Sequence, residues 1–193
     1  MSLRADLHAL PRAVWVQCAA TLVNRAGTMV LPFLLLYLTR DLGLSPTYAG
    51  AIVALYGATA LVTAPFAGRL CDRVGTLRIM TASLLLSGLV LLAFPIARSP
   101  LTVALATVLW AVVSELFRPA SLAAIASAVG PDQRKTAFAV NRLAINLGMS
   151  LGPALGGFLA TWSYGALFVV DGVTSLVAAA ILAKAGRPVR AHV

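Results

Sequence analysis

Residues 78–97 read RIMTASLLLSGLVLLAFPIA: one arginine at the edge, then no ionisable side chain as far as Ala97. The hydrocarbon core of a bilayer is about 30 Å thick and is crossed by about 20 apolar residues of helix. This stretch has that length and that dryness. Working outward, comparable windows lie at about 13–38, 46–69, 101–129, 137–161 and 164–184, joined by short polar connectors. A soluble chain would alternate apolar and polar faces, because its elements have a wet side. Here 60% of residues are hydrophobic and 11% charged, with a mean hydropathy of +0.92. The sequence therefore predicts an all-α membrane protein, a six-transmembrane-helix bundle forming a single domain over residues 1–193.

The net charge of +9 is also what a nucleic-acid binder carries, but its placement points elsewhere. With the N-terminus inside, Arg4, Arg12, Arg69, Arg73, Arg78, Arg134, Lys135, Lys184, Arg187 and Arg190 gather on the cytoplasmic side, and only Arg40 and Arg98 fall outside. That is the positive-inside bias. It predicts a multi-pass protein with both termini cytoplasmic. No basic run interleaved with aromatics supports a nucleic-acid partner. The first apolar run is too long for the core of a signal peptide and continues into the polytopic pattern, so it reads as a retained span. Cys18 and Cys71 make neither a disulfide framework nor a metal-ligand spacing. His8 and His192 stand at the ends, and no hydrolase, metalloprotease or phosphate-loop pattern occurs. No enzyme, cofactor or metal is expected.

Punctuation agrees with the spans. Leu44-Ser45-Pro46 and Arg98-Ser99-Pro100 set a capping serine before a helix-starting proline, and Gly130-Pro131-Asp132 ends the fourth span. The tail beyond Lys184 is basic and polar, as frayed termini are. The two halves share a faint repeat: Pro65-Phe66-Ala67-Gly68 in span two and Pro153-Ala154-Leu155-Gly156 in span five. Three spans per unit force the second unit to enter from the opposite side, giving two inverted three-helix repeats.

Between spans two and three lies Gly68-Arg69-Leu70-Cys71-Asp72-Arg73-Val74-Gly75-Thr76-Leu77-Arg78. Its glycines bracket an acid and several bases, and the reading is a tight turn that needs their backbone freedom. The plainer alternative is an ordinary basic connector. Through Gly68, Leu70, Asp72, Arg73, Gly75 and Arg78 the segment resembles the signature loop of the major facilitator superfamily, departing from it at Thr76 and Leu77, where bases are usual. The resemblance implies a latch between two six-helix halves. Span five carries Gly148, Gly152, Pro153, Gly156 and Gly157. Small residues four apart let another helix approach closely, and Pro153 removes a backbone donor. The string is similar to the span-five motif of drug-exporting members of that superfamily, and the expected direction of efflux rests on this alone.

Polar residues inside the spans are Asn24, Arg25, Glu115, Arg118, Arg142, Asn146 and Asp171. Charges at depth are costly and face a bundle interior, a partner or a wet cavity. At about 1.5 Å per residue, Arg25 and Glu115 both fall near mid-membrane. Arg25, Glu115, Arg118 and Arg142 are therefore expected to serve transport and proton coupling, with Asn24 and Asn146 as cavity polar groups. Glu115 is the expected titratable carboxylate, balanced between burial and the attraction of its basic neighbours. A structural salt bridge is the alternative. Asp171 reads as a cap or structural pair, and Tyr56 and Trp110 as packing or as stacking surfaces for a solute. The resemblance places spans one and four around a central cavity and spans two and five at the seam between halves. Arg118 resembles the span-four arginine the family associates with proton coupling.

The expectation is the N-terminal six-helix half of a major-facilitator-type transporter, in a bacterial plasma (inner) membrane, exporting small and lipophilic molecules by proton-coupled alternating access. Its expected partners are a small-molecule substrate, protons, the lipid bilayer and a second six-helix half on the same or another chain. The rival from a different class is a non-transporting assembly or regulatory half that binds a partner chain through its small-residue seam.

Overall fold

The structure is a computed structural model and describes residues 7–185. Arg4, His192 and the basic tail from Gly186 lie outside the described residues. Among the described residues, six helical segments are long and apolar enough to cross a membrane: Arg12–Asp41, Pro46–Val74, Thr76–Ile96, Pro100–Ala128, Pro131–Ala160 and Tyr164–Lys184. We number these spans one to six. They outrun the hydropathy windows mainly at one end of the bundle. Span two continues from 69 to Val74, and span five starts at Pro131 rather than 137. Arg69, Asp72, Arg134 and Lys135 lower the local hydropathy there without ending the helix.

The connectors follow their punctuation. The Ser45 hydroxyl accepts from Tyr48 N at 3.3 Å. Ser99 and Thr102 form a reciprocal capping box at the start of span four. One expectation is corrected. Gly68 does not shape a turn: it lies in the last two turns of span two, and Cys71 is buried in the same helix. The whole reversal rests on Gly75, whose φ of 99° and ψ of 139° place it where only glycine is at ease. It ends one span and starts the next.

Span one packs against spans five and six, span four against spans two and three, and span three against span six. These relations are unchanged when one is exchanged for four, two for five and three for six. That invariance is what a pseudo-two-fold axis in the membrane plane requires, so the fold is two inverted three-helix repeats. The axis leaves a mark where spans three and six cross. A Cβ on Gly88 would lie 2.8 Å from Gly172 O, and one on Gly172 would lie 3.0 Å from Gly88 O. Neither residue tolerates a side chain at that crossing.

The spans expected to be continuous at one and four are both interrupted. Span one is a helix over Arg12–Gly27 and a second from Val30, closing in a π turn over Tyr37–Asp41. Span four is a helix over Pro100–Glu115 and another over Phe117–Ala128. One is the counterpart of the other in the inverted repeat. A polar side chain braces each: Asp171 Oδ2 of span six accepts Met29 N at 3.1 Å and Val30 N at 3.2 Å, and Ser83 Oγ of span three donates to Val113 O at 2.6 Å. Toward the end bearing the 97–99 connector, Tyr37, Phe94, Phe168, Trp110 and Tyr56 form a chain of aromatic contacts that closes the core.

The span-five glycines overturn a second expectation. Gly148, Gly152 and Gly156 are buried against span one of the same bundle, not turned to a seam. A Cβ on Gly148 would lie 2.5 Å from Arg25 Cβ and one on Gly152 3.0 Å from Arg25 O and from Thr28 O; one on Gly156 would lie 2.9 Å from the Phe33 ring. Gly157 is looser, 3.7 Å from the same ring. The stripe is filled by the interruption in span one. What span five turns outward is Leu143, Leu147, Leu151, Leu155 and Phe158, and its helix runs unbroken through Pro153.

Candidate functional site

The two interrupted spans meet at polar space. A small cavity of about 110 Å³ lies among spans one, two, three, four and six, and its walls include Asn24, Arg25, Tyr56, Glu115, Arg118 and Asp171. A larger one of about 530 Å³ lies between spans one, four and five and is lined by Arg25, Glu115, Arg118, Arg142, Asn141 and Asn146, with Phe117, Phe138, Leu122, Ile145 and Met149 as apolar wall. Arg25, Glu115 and Arg118 line both, so one cluster of ionisable groups stands between the two spaces.

Local sequence explains the placement. Arg25 is the last charged residue before the interruption of span one, where Gly27 and Gly148 let spans one, five and six close in around it. Glu115 ends the first half of span four and Arg118 opens the second. Glu115 and Arg25 are half-buried, whereas Arg118, Arg142 and Asn146 are exposed on the face that opens away from this bundle. Arg142 and Asn146, one helical turn apart, share the larger cavity as their spacing indicates.

Glu115 forms no salt bridge among the described residues. The ion pair among them is Arg98 with Asp41, 3.7 Å apart, joining the connector before span four to the end of span one. Glu115 Oε1 instead accepts the Tyr56 hydroxyl at 3.1 Å, and the same hydroxyl lies 3.2 Å from Ser114 Oγ. Tyr56 also packs on Trp110 with ring centroids 4.8 Å apart. The aromatic pair is thus packing on one side and a carboxylate donor on the other. Asp171 is a cap, as the sequence suggested, and it reaches its helix across the bundle. Asn24 Nδ2 donates to Ser175 Oγ at 3.2 Å, tying span one to span six. Gln17 Nε2 donates to Ser121 O at 2.7 Å and Ser121 Oγ at 2.9 Å, tying span one to span four.

Sequence reading missed Gln17, Ser83, Ser114, Ser121 and Asn141 because single neutral polar residues in apolar runs carry no sign of their partners. The loop residues Asp72, Arg73, Gly75 and Arg78 are brought together at the Gly75 reversal, exposed, and none of them lines either cavity. Gly68 is exposed one turn before Asp72 on the same helix, with open space where a side chain would go.

Inverted repeats whose interrupted spans enclose ionisable groups define a class, the helical secondary transporters. The chain belongs to one family of that class: the model of the Major Facilitator Superfamily matches residues 18–192, and members of that family are transporters, not enzymes. It is 28% identical over 169 residues to the uncharacterized MFS-type transporter YqjV of Bacillus subtilis, an alignment covering 87% of this chain and 40% of that one. It is 29% identical over 150 residues to the quinolone resistance protein NorA of Staphylococcus aureus, covering 78% and 38% respectively. The fold superposes on a peptide transporter POT crystallised with sulfate, with a TM-score of 0.82 at 20% identity, over 95% of this chain and 41% of that one. The chain spans about two-fifths of the length of these relatives.

Proposed function

We propose that this bundle forms one wall of a solute pathway, and that the complete transporter carries small molecules outward in exchange for protons by alternating access. The observation that carries the reading is the position of Glu115. It sits between two cavities, beside three guanidinium groups, and is held by a tyrosine hydroxyl rather than by an ion pair. A carboxylate in that setting can gain or lose a proton while no salt bridge has to break. The exposed face bearing Arg118, Arg142 and Asn146 requires a facing bundle, because alternating access rocks one bundle against another around a shared site. That second six-helix unit belongs to the same polypeptide or to another. Outward direction is supported by the span-five string and by likeness to a protein named for quinolone resistance.

The end of the bundle carrying Arg12, Arg69, Arg73, Arg78, Arg134, Lys135 and Lys184 is assigned to the cytoplasm and the other, with Arg40 and Arg98, to the outside. The membrane is then a bacterial inner membrane. At the cytoplasmic end the exposed Asp72, Arg73 and Arg78 are free to latch onto the second bundle. The assembly-half alternative loses its support, because the small-residue face it needs is occupied by span one.

The test is dye transport under an imposed pH gradient in proteoliposomes of the complete transporter. Glu115→Gln is expected to abolish the dependence on the gradient while leaving the protein folded. Dependence equal to that of the unaltered protein would remove Glu115 from the mechanism.

A further inference from the structure

We infer that the larger cavity accepts an organic anion, a carboxylate or similar oxyanion on an apolar body. The inference names a substrate class for the site proposed above and rests on that reading for why a solute enters. Its ionisable wall is Arg25, Arg118 and Arg142 against the single acid Glu115. None of the three guanidinium groups has a carboxylate within 4.0 Å among the described residues, and Glu115 is turned to Tyr56. Arg25 Nε is buried with no hydrogen-bond partner among the described residues. A buried donor left without an acceptor costs free energy, and unpaired charge at membrane depth costs more. An acceptor of negative charge entering between spans one, four and five relieves both. Guanidinium groups are also the side chains best shaped to grip a planar carboxylate through two parallel hydrogen bonds.

The apolar wall decides the rest of the solute. Phe138 and Met149 flank Arg142 on span five, so a bare inorganic anion would leave much of the space without contacts. The groove offers about 530 Å³ on this bundle's side alone, room for a small organic solute. A lipophilic cation would instead bring positive charge toward three guanidinium groups.

The experiment compares equilibrium binding of carboxyfluorescein, an anion with an aromatic body, and of ethidium, a cation of similar kind. Both are measured on the complete transporter in nanodiscs of zwitterionic lipid, alongside transport of each dye in vesicles. Carboxyfluorescein is expected to bind at least about tenfold more tightly than ethidium, and Arg118→Gln and Arg142→Gln each to weaken it by about tenfold. Both arginines are exposed and without hydrogen-bond partners among the described residues, so these variants keep the fold; Arg142→Lys, which retains the charge, is expected to keep most of the binding. Tighter binding of ethidium, or no anion binding up to about 1 mM, would show that carboxylates of the facing bundle already neutralise the arginines, and would overturn the inference. Anion binding that survives Arg118→Gln with Arg142→Gln together would also overturn it. Binding without transport defeats the proposed function and leaves the anion site standing; transport of ethidium alone does the reverse.

Discussion

Removing the Asp171 carboxylate leaves two backbone N–H groups, of Met29 and Val30, without an acceptor inside an apolar bundle. Each such loss costs about 1–3 kcal/mol, and the N-terminal end of a helix favours negative charge in addition. Asp171→Ala is therefore expected to destabilise the protein by roughly 2–5 kcal/mol, read as a lowered Tm in detergent. Asp171→Asn, which keeps an acceptor oxygen, is expected to lose less than half of that; equal loss in the two variants would contradict the capping role. At this scale the sequence is legible in one respect and closed in another. A charged residue in an apolar run announces that it needs a partner or a wet cavity, as Arg25, Glu115, Arg118, Arg142 and Asp171 do. Its partner does not announce itself: Tyr56 is 59 positions from Glu115, and Asp171 caps a helix 141 positions away.

Glycines divide the elements into those that are packed and those that are not. Gly148 and Gly152 face the backbone and Arg25 side chain of span one at 2.5–3.0 Å from where a Cβ would stand. Backbone cannot yield as a flexible side chain does, so Gly148→Ala is expected to cost about 1–3 kcal/mol by overpacking and to disturb the position of Arg25. Gly68→Ala meets nothing within 4 Å and should be neutral or stabilising by up to about 1 kcal/mol, since alanine is the better helix former. Gly75→Ala forces a side chain onto a φ of 99°, at about 1–3 kcal/mol. Thermal unfolding of the three variants checks the order, and an unstable Gly68→Ala would contradict it. Helix existence was legible from hydropathy. The interruptions at Met29 and Leu116 were signalled only in part. Pro32 and Pro119 each stand third in the helix that resumes and leave the carbonyls of Thr28 and Glu115 without an N–H donor. But Pro65 and Pro153 sit in helices that run unbroken, so proline alone does not mark a break. Gly148, Gly152 and Gly156 advertised close packing, but small spacing alone does not say which helix approaches.

Across the whole molecule the two repeats share a topology and differ in use. The repeat of spans one to three contributes the interrupted span that carries Arg25, and the repeat of spans four to six contributes Glu115, Arg118 and Arg142. The fold was legible because lipid imposes one solution on long dry segments, and three spans per unit fix the inversion. The solute chemistry was less legible, since it depends on which charged groups converge on one space. On the proposed orientation, an impermeant thiol reagent applied from outside should label a cysteine placed at Arg98 and spare one placed at Arg73; the opposite pattern would reverse the topology. The most direct measurement of the central claim is labelling at mid-depth. In a background with Cys18→Ser and Cys71→Ser, single cysteines at Asn146 and Met149, on the wall of the larger cavity, and at Leu86 and Leu89, on the outer face of span three, are exposed to a small water-soluble maleimide in membranes. Labelling at Asn146 and Met149 with none at Leu86 and Leu89 is the result expected of an aqueous solute pathway. No labelling at Asn146 and Met149, or labelling at all of these positions, would contradict it.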